Sequence, residues 1–415
     1  VRSWIDRDTK QERYSLWVVE GDRKNARDME PDEPDARLPF FSPDGQWIFF
    51  RSTRPRPDGW KQTPPVPPES EAATDLWLIP AAGGKAIPLA GPKKPYGRLL
   101  GDRFYQRIAF SPDGKRLVFV ADDGKDPRTP QEIEAGVIVV RPDQGEGYTG
   151  YGPAEIWVAH LDPKPKDSAA SRIDRLTDDD VWYGDPQWSP DGKTIVVHAN
   201  RTDDRESVRY SINKNYDLWR VDLDDHQVYQ LTDGIGPEVS PRIAPDGRRL
   251  VCLSVPRKGP HADVYNLMVV NLDSRETQSN VLYDHHASPD EKPSHLSPTF
   301  PLPRDCWLDE KRFVSNALDG LRHRRQVIDL GHGAKGSDYV PVVDECARRL
   351  KEARRRLTPP SLGPTQNRLR APDRVVRWKS FDGLEIEGVL TVPPEQVAKP
   401  PYKLIVYPHG GPHHR

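Results

Sequence analysis

A turn segment that occurs four times constrains what this chain can fold into. Residues 40–50, 109–120, 187–198 and 242–253 each carry Pro-Asp-Gly between two stretches in which apolar residues alternate with others. Proline presets the first turn position, aspartate bonds back to the nearby backbone and glycine accepts a positive φ. Each segment therefore predicts a β-hairpin.

A second repeated pattern follows each hairpin. The stretches DLWLIP at Asp75, EIWVAHL at Glu155, DLWRVD at Asp217 and NLMVVN at Asn266 predict third strands with a period of two. A short fourth strand is expected after them, as in YQLTDG from Tyr229. The Asp, Gly and Trp residues of both patterns are assigned to turns and to the core.

Partial copies flank the four units. YSLWVVEGD from Tyr14 predicts a third strand without its hairpin, and CWLDEKRFVSNALDG from Cys306 predicts a hairpin in which Leu-Asp-Glu replaces Pro-Asp-Gly, completed by RQVIDL from Arg325. A single four-stranded sheet cannot bury both of its faces, but stacked sheets can. The pattern resembles the TolB-type propeller and predicts an all-β fold, a β-propeller of six to seven four-stranded blades over residues 1–330, with the first blade incomplete.

Composition excludes some classes of function. The 63 acidic and 61 basic residues nearly cancel, so no overall field favours nucleic acid or a membrane surface, and neither is expected as a partner. The three cysteines are far apart and odd in number, which favours buried free thiols over disulfides or a zinc site. No apolar run is long enough to span a membrane.

Residues 331–371 depart from the repeat. Gly331, Gly333 and Gly336 form a Gly-x-Gly-x-x-Gly arrangement, but no second parallel strand follows, so a dinucleotide site is disfavoured. Residues 343–357 predict an amphipathic helix with a solvated basic face. We expect no cofactor.

Two loops carry candidate binding residues. The insertion 126–157 contains Glu132, Glu134, Glu146, Tyr148 and Tyr151, and its carboxylates could hold a cationic peptide amino terminus; solvation in an exposed loop is the alternative. Glu146 and Tyr148 are the proposed substrate-binding pair.

The second loop, 284–295, contains three histidines and two aspartates. Its spacing matches no recognised metal site, so we predict an exposed loop without metal.

The last residues resemble part of an active site. From Asp373 the sequence predicts a hairpin with an Asp382-Gly383 turn, then a strand over Leu404–Tyr407 that runs into His409, Gly410 and Gly411. A strand followed by His-Gly-Gly is the device with which α/β-hydrolases aim a backbone N–H at a developing oxyanion. The unpaired strand near Leu404 is an aggregation liability.

A propeller followed by these motifs is similar to the prolyl oligopeptidase family of serine peptidases, in particular its acylaminoacyl peptidase and dipeptidyl peptidase-like branch. The resemblance implies that residues 372–415 are the first strands of a truncated α/β-hydrolase domain. It also implies that His409, Gly410 and Gly411 form an oxyanion loop, with the Gly411 N–H as donor. No Gly-x-Ser-x-Gly elbow occurs in the chain, so the nucleophile and its Asp and His partners are expected to be absent.

The resulting hypothesis is a propeller that gates short peptides into a serine peptidase site, with this chain alone inactive. The alternative is a stand-alone propeller that binds proteins. Association through the hydrolase domain is possible for the intact protein. Residue 1 is Val and no leader is evident, so we expect an incomplete amino terminus; the cytoplasm is slightly favoured, and the compartment stays open.

Overall fold

The computed structural model describes residues 2–5, 12–19, 26–30, 35–65, 73–100, 108–126, 128–136, 154–179, 181, 183–199, 201, 216–255, 265–272, 279–281, 297–319, 322–332, 373–393 and 399–406. Regular structure in these residues is almost entirely antiparallel β. Its helices are α1 (Pro130–Ala135) and a short 3-10 turn at Leu330–His332. No described helix has both the length and the hydropathy needed to cross a bilayer.

Four four-stranded sheets follow one another along the chain, each in a simple up-and-down order. The first sheet contains β5 (Arg37–Phe41), β6 (Trp47–Ser52), β7 (Asp75–Pro80) and β8 (Ile87–Pro88). The second contains β9 (Ala109–Phe110), β10 (Arg116–Ala121), β11 (Glu155–Leu161) and β12 (Ala170–Arg175).

The next two sheets repeat this plan. The third sheet contains β13 (Tyr183–Trp188), β14 (Thr194–Ala199), β15 (Asp217–Asp222) and β16 (Val228–Gln230). The fourth contains β17 (Glu238–Ile243), β18 (Arg249–Ser254), β19 (Asn266–Asn271) and β20 (Ser279–Val281). The four hairpins and four third strands predicted from the repeat are thereby confirmed.

The turn chemistry accounts for the hairpins. In the first sheet the Ser42 hydroxyl donates to Asp44, and the same Asp44 oxygen accepts the backbone N–H of Gln46. Gly45 follows with φ of 69°, a conformation that strains other residues. The Ser42 bond is also the main reason that the pKa of Asp44 lies below its usual value.

A second backbone feature recurs in the first strand of three sheets. Each strand carries a register shift, and one residue near it has a positive φ: Leu38 (49°), Asp185 (47°) and Ser240 (61°). These residues all lie four positions before the residue that directly precedes Pro-Asp-Gly. A bulge of this kind bends a strand and re-aims a side chain, so we call these three the bulge residues.

Successive sheets pack face to face through shared apolar clusters. Because both faces of a sheet find a neighbour, the strands are buried along most of their length, as in β6 and β10. Each fully buried Leu, Val or Phe side chain contributes about 1.5–3 kcal/mol. Pairs of residues that share a cluster across the four successive interfaces are Phe49 with Phe119, Val120 with Val197, Leu218 with Cys252, and Leu253 with Phe313.

Shorter elements precede the first sheet. They are β1 (Arg2–Ile5), paired with β2 (Glu12–Ser15), and β3 (Trp17–Val18), paired with β4 (Arg27–Asp28). The predicted strand from Tyr14 is thus divided at Leu16, which packs on the first sheet with Phe50. Glu30 adds a two-pronged ion pair with Arg54, at 2.6 and 2.8 Å.

A three-stranded fifth sheet follows the fourth: β21 (Ser297–Pro298), β22 (Arg312–Asp319) and β23 (Arg322–Asp329). The hairpin predicted around Leu-Asp-Glu is present only in part, because Trp307 makes an isolated bridge to Phe313 and is not part of a continuous first strand. Residues 300–305 leave the strand, and their contacts are described below.

The last described elements form a separate hairpin, β24 (Asp373–Lys379) and β25 (Glu385–Thr391), with the expected turn at Gly383. The predicted strand over Leu404–Tyr407 is wrong over its described part, since residues 404–406 have no regular structure and are exposed. An apolar run needs a partner strand to become a strand, and the described residues offer none here. Tyr407 lies outside them.

Several predicted features cannot be compared with the structure. The histidine-rich loop, Gly333, Gly336 and the predicted helix 343–357 all lie outside the described residues. Gly331 is described and belongs to the 3-10 turn after β23.

Candidate functional site

The long connections of the four-stranded sheets share one face. Because strands alternate in direction, the connections between second and third strands leave from the end opposite the Pro-Asp-Gly turns. We call this end the loop face and the other the turn face. The four connections are residues 53–74, 122–154, 200–216 and 255–265. Long loops on a rigid scaffold are where binding and catalytic residues concentrate.

The proposed substrate-binding pair, Glu146 and Tyr148, lies in the second connection but outside the described residues. An earlier part of this connection forms α1, where Glu132 accepts hydrogen bonds from the Thr129 backbone and hydroxyl, and Thr129 accepts from the Glu132 N–H. Glu132 therefore caps a helix, and its carboxylate is already engaged. Both capping bonds go to Oε2, so a role of Glu132 in a cation-binding set stays a prediction.

A buried polar residue begins the third strand of each of these sheets on the loop face. The four equivalent residues are Asp75, Glu155, Asp217 and Asn266, and none is more than 1% exposed. A buried carboxylate needs a charge partner or a proton. The partners differ from sheet to sheet, and they determine the chemistry at each position.

Asp75 is surrounded by donors. One carboxylate oxygen lies 3.0 Å from both Arg56 Nη1 and Lys94 Nζ, and the other accepts the Tyr96 hydroxyl at 2.8 Å. Burial alone would raise the pKa of Asp75, but Lys94, Arg56 and Tyr96 outweigh it and lower that pKa. Burial lowers the pKa of Lys94 to about 8; the nearby Asp75 carboxylate opposes this fall, and the charge of Arg56 adds to it.

Glu155 is less well compensated. Thr177 Oγ1 donates to one carboxylate oxygen, and Arg175 Nη2 lies 3.2 Å from the other. Burial raises the pKa of Glu155, and these two partners offset it only in part. The ionised form of the Glu155 carboxyl is therefore only partly stabilised by its partners.

Asp217 faces a second carboxyl, Glu238 of the next sheet. Burial and Glu238 together raise the pKa of Asp217 to about 8, and burial raises the pKa of Glu238. Asp217 Oδ1 is buried without a hydrogen-bond partner. A Cβ at Gly234 would lie 1.8 Å from Glu238 Oε1, so only glycine there leaves room for the pair.

We expect Asp217→Asn to stabilise the chain at pH 8 by about 1–3 kcal/mol. The folded Asp217 holds its proton up to a pKa of about 8, whereas the unfolded one loses it near the usual pKa of 3.8. The contribution of the protonated Asp217 carboxyl to the free energy of unfolding is therefore fully present at low pH and is lost as the pH rises from about 4 to 8. Asn266 shows that the repeat accepts an amide at this position.

The measurement is urea unfolding of both chains between pH 5 and 8. The difference in the free energy of unfolding between the two chains should grow with pH, and the stability of the variant should depend less on pH. The remaining polar groups around the pair are Asp233, Gln230, Thr232 and the Gly234 N–H, and Asp233 repels the ionised form. A loss of stability in the variant at pH 8 would contradict the raised pKa of Asp217.

Sequence reasoning missed this pair. The repeated acidic start of the third strand is visible in the sequence, but Glu238 lies in another unit and no local spacing joins it to Asp217. His409, Gly410 and Gly411, the proposed oxyanion loop, lie outside the described residues. Within the described ranges, no group of three or more His, Cys, Asp and Glu side chains is placed to hold a metal ion.

Comparison with known proteins gives the following relatives. No family model matches the chain. Dipeptidyl-peptidase 5 of Porphyromonas gingivalis is 25% identical over 199 residues, which cover 43% of this chain and 27% of that protein. The acylamino-acid-releasing enzyme of Rattus norvegicus is 28% identical over 284 residues, which cover 57% of this chain and 37% of that enzyme.

Among solved structures, an acylaminoacyl peptidase of Pyrococcus horikoshii is 14% identical, covers 94% of this chain and 55% of that chain, and has a TM-score of 0.48. The chain spans well under half the length of the two curated relatives.

Proposed function

We propose that this chain, a relative of the prolyl oligopeptidase family of serine peptidases, is the β-propeller that admits short peptides to such a peptidase site. In this proposal residues 1–330 form six to seven blades, residues 331–371 are an atypical Gly-rich and basic helical segment, and residues 372–415 begin an α/β-hydrolase domain. The dipeptidyl-peptidase and acylamino-acid-releasing relatives support this assignment. The observation that carries it is the series of four-stranded sheets stacked in chain order, each with its long connection on one face.

The β24–β25 hairpin supports the second part of the proposal. Trp378 and Ile386 are paired across the strands and both are exposed, while Arg377 and Glu387 form an ion pair on the other face. A two-stranded hairpin with an uncovered apolar face has little stability of its own. Such a face is expected where a hairpin belongs to a larger domain.

The chemistry proposed for the intact peptidase is acyl transfer. A peptide or acyl-amino acid would pass its acyl group to an activated serine and then to water. His409, Gly410 and Gly411 would shape the oxyanion loop, with the Gly411 N–H donating to the tetrahedral intermediate. Glu146 and Tyr148 are proposed to hold the peptide from the propeller side.

We predict that the 415-residue chain is not labelled by a fluorophosphonate probe. Such probes need a serine activated by a neighbouring base, and no Gly-x-Ser-x-Gly elbow occurs in this sequence. Gel fluorescence after incubation with the probe is the measurement, and a full-length serine peptidase serves as the positive control. Stoichiometric labelling of the chain would overturn the assignment of its residues to the propeller and oxyanion loop alone.

The gene distinguishes this proposal from a stand-alone protein-binding propeller. A reading frame that continues beyond codon 415 into a Gly-x-Ser-x-Gly segment is the expected result. A stop codon at that point in the natural gene would favour the binding module.

A further inference from the structure

The first strands of the sheets converge. Residues of β9 lie close to β13, and residues of β13 lie close to β17. Side chains join these strands directly, as where Trp188 Nε1 donates to the Ala109 carbonyl at 3.0 Å. The first strands therefore line the inner side of the stack, which is the axis of the proposed propeller, and we call them the inner strands.

The fifth sheet has an enlarged bulge in its inner strand. Thr299 N donates to Asn316 O, and the strand is paired again where Val314 N donates to Cys306 O. Between these bonds the partner strand advances by two residues and the inner strand by seven. Residues 300–305 are thus extruded, and we call them the axial loop. The bulges of the earlier inner strands are much smaller, as in β5, where three residues oppose two.

The axial loop is fixed to the fourth sheet. The Leu302 N–H donates to the bulge residue Ser240 at 3.0 Å. Arg242 Nη2 and Nε donate to the carbonyls of Leu302 and Pro303, each at 2.9 Å. Arg242 also pairs with Asp185, the bulge residue of the third sheet. One buried guanidinium therefore joins two inner strands to the loop.

The tip of the loop reaches further. Arg304 is exposed, and its Nη2 donates to the carbonyl of Ile108, directly before β9, at 3.1 Å. Ile108 belongs to the second sheet, and the loop starts from the fifth. A contact between these two sheets, with the third and fourth between them along the chain, has to cross the inner side of the stack.

The three bulge residues provide an internal comparison. Asp185 and Ser240 are 0% exposed, and the axial loop or its partner Arg242 contacts both. Leu38, at the equivalent position of the first sheet, is 54% exposed. The same backbone position is thus buried in the third and fourth sheets and exposed in the first.

We propose that the axial loop closes the passage along the inner strands of the third and fourth sheets, so that, among the described inner strands, a peptide enters past β5 and Leu38. This inference rests on the proposed peptide-admitting function, but its geometry can be tested without catalysis. The loop is held in one position beside the passage, because buried hydrogen bonds attach it to the fourth sheet and the Leu302 side chain is fully buried. Because the opening is limited to one side, it admits a single extended peptide and excludes a folded segment.

The test uses cysteine reactivity in the full chain, with Cys346 replaced by serine. Native Cys306, 1% exposed at the end of the loop, reports the closed side, and Leu38→Cys reports the open side. N-ethylmaleimide and a maleimide-capped tetrapeptide are the two reagents, and modification is followed by mass spectrometry. We expect both to modify Leu38→Cys, at least about 100-fold faster than Cys306.

A second variant separates local opening from unfolding. Leu302→Ala should release the loop and raise the reactivity of Cys306 by about tenfold, while Cys252, fully buried in β18, reports global unfolding and stays unchanged. Leu308→Ala, at an exposed position after the loop, is the matched control and should change neither thiol.

Three results would overturn the inference. The first is rapid modification of Cys306 by the peptide reagent in the chain with native Leu302. The second is failure of that reagent to modify Leu38→Cys. The third is an equal rise in the reactivity of Cys252 and Cys306 in Leu302→Ala. Each differs from a failure of the proposed function, which the gene and the fluorophosphonate probe report.

Discussion

Asp75→Ala is expected to lower the free energy of unfolding by about 3–5 kcal/mol. The substitution leaves Arg56 and Lys94 buried side by side without their carboxylate, and the Tyr96 hydroxyl loses its acceptor. Removing one partner of a buried ion pair costs more than the pair contributes, because the remaining charge stays desolvated. The loss should be largest where both cations are charged, below the Lys94 pKa of about 8.

Urea unfolding followed by circular dichroism measures this effect. Asp58→Ala is the matched control, since Asp58 is exposed in the same connection as Arg56 and should change stability by less than about 0.5 kcal/mol. Tyr96→Phe removes only one hydrogen bond and should cost about 1 kcal/mol. If Asp75→Ala and Asp58→Ala unfold alike, the buried network does not hold the loop face together.

The sequence predicts what short-range chemistry determines. The Pro-Asp-Gly turns, the alternation around them and the acidic third-strand starts are local, so the four complete sheets and their turn bonds could be predicted from the repeat. Asp44, assigned to turn chemistry, bonds the backbone two residues on as expected. Stacking of the sheets followed because each sheet has two apolar faces.

The partners of the buried carboxylates were not predicted, because they depend on residues that are distant in the sequence. Asp75 and Asp217 start equivalent strands, yet one meets Lys94, in the connection that follows its own sheet, and the other meets Glu238 of the next sheet. Their pKa values move in opposite directions for that reason. A repeat pattern identifies equivalent positions, but it does not identify which side chains the connections bring to them.

The fifth sheet shows the same limit. Cys306 and Trp307 match the repeat, but the six residues before them form the axial loop and not a strand. Arg242 and Ser240, which hold that loop, lie about 60 residues away. Residues 404–406 match a strand in composition and lack a described partner, so composition alone gave the wrong prediction.

Arg242→Met should destabilise the chain by about 3–5 kcal/mol, comparable to the loss at Asp75. The side chains of Arg242 and Asp185 are 1% and 0% exposed, and Arg242 Nη1 lies 2.9 Å from Asp185 Oδ2. Methionine fills part of the volume but leaves the Asp185 carboxylate without this partner and the carbonyls of Leu302 and Pro303 without their donor. Thermal and urea unfolding both measure the effect.

Arg249→Met is the matched control, because Arg249 also donates to a carbonyl of the fifth-sheet segment, that of Glu310, but from an exposed position. It should cost under about 1 kcal/mol. The double variant Asp185→Leu with Arg242→Met removes both charges and should regain at least about 1–2 kcal/mol relative to Arg242→Met, since no desolvated charge remains. A double variant less stable than Arg242→Met would show that the cost arises from the lost carbonyl bonds of the axial loop, and that the ion pair between the inner strands contributes little.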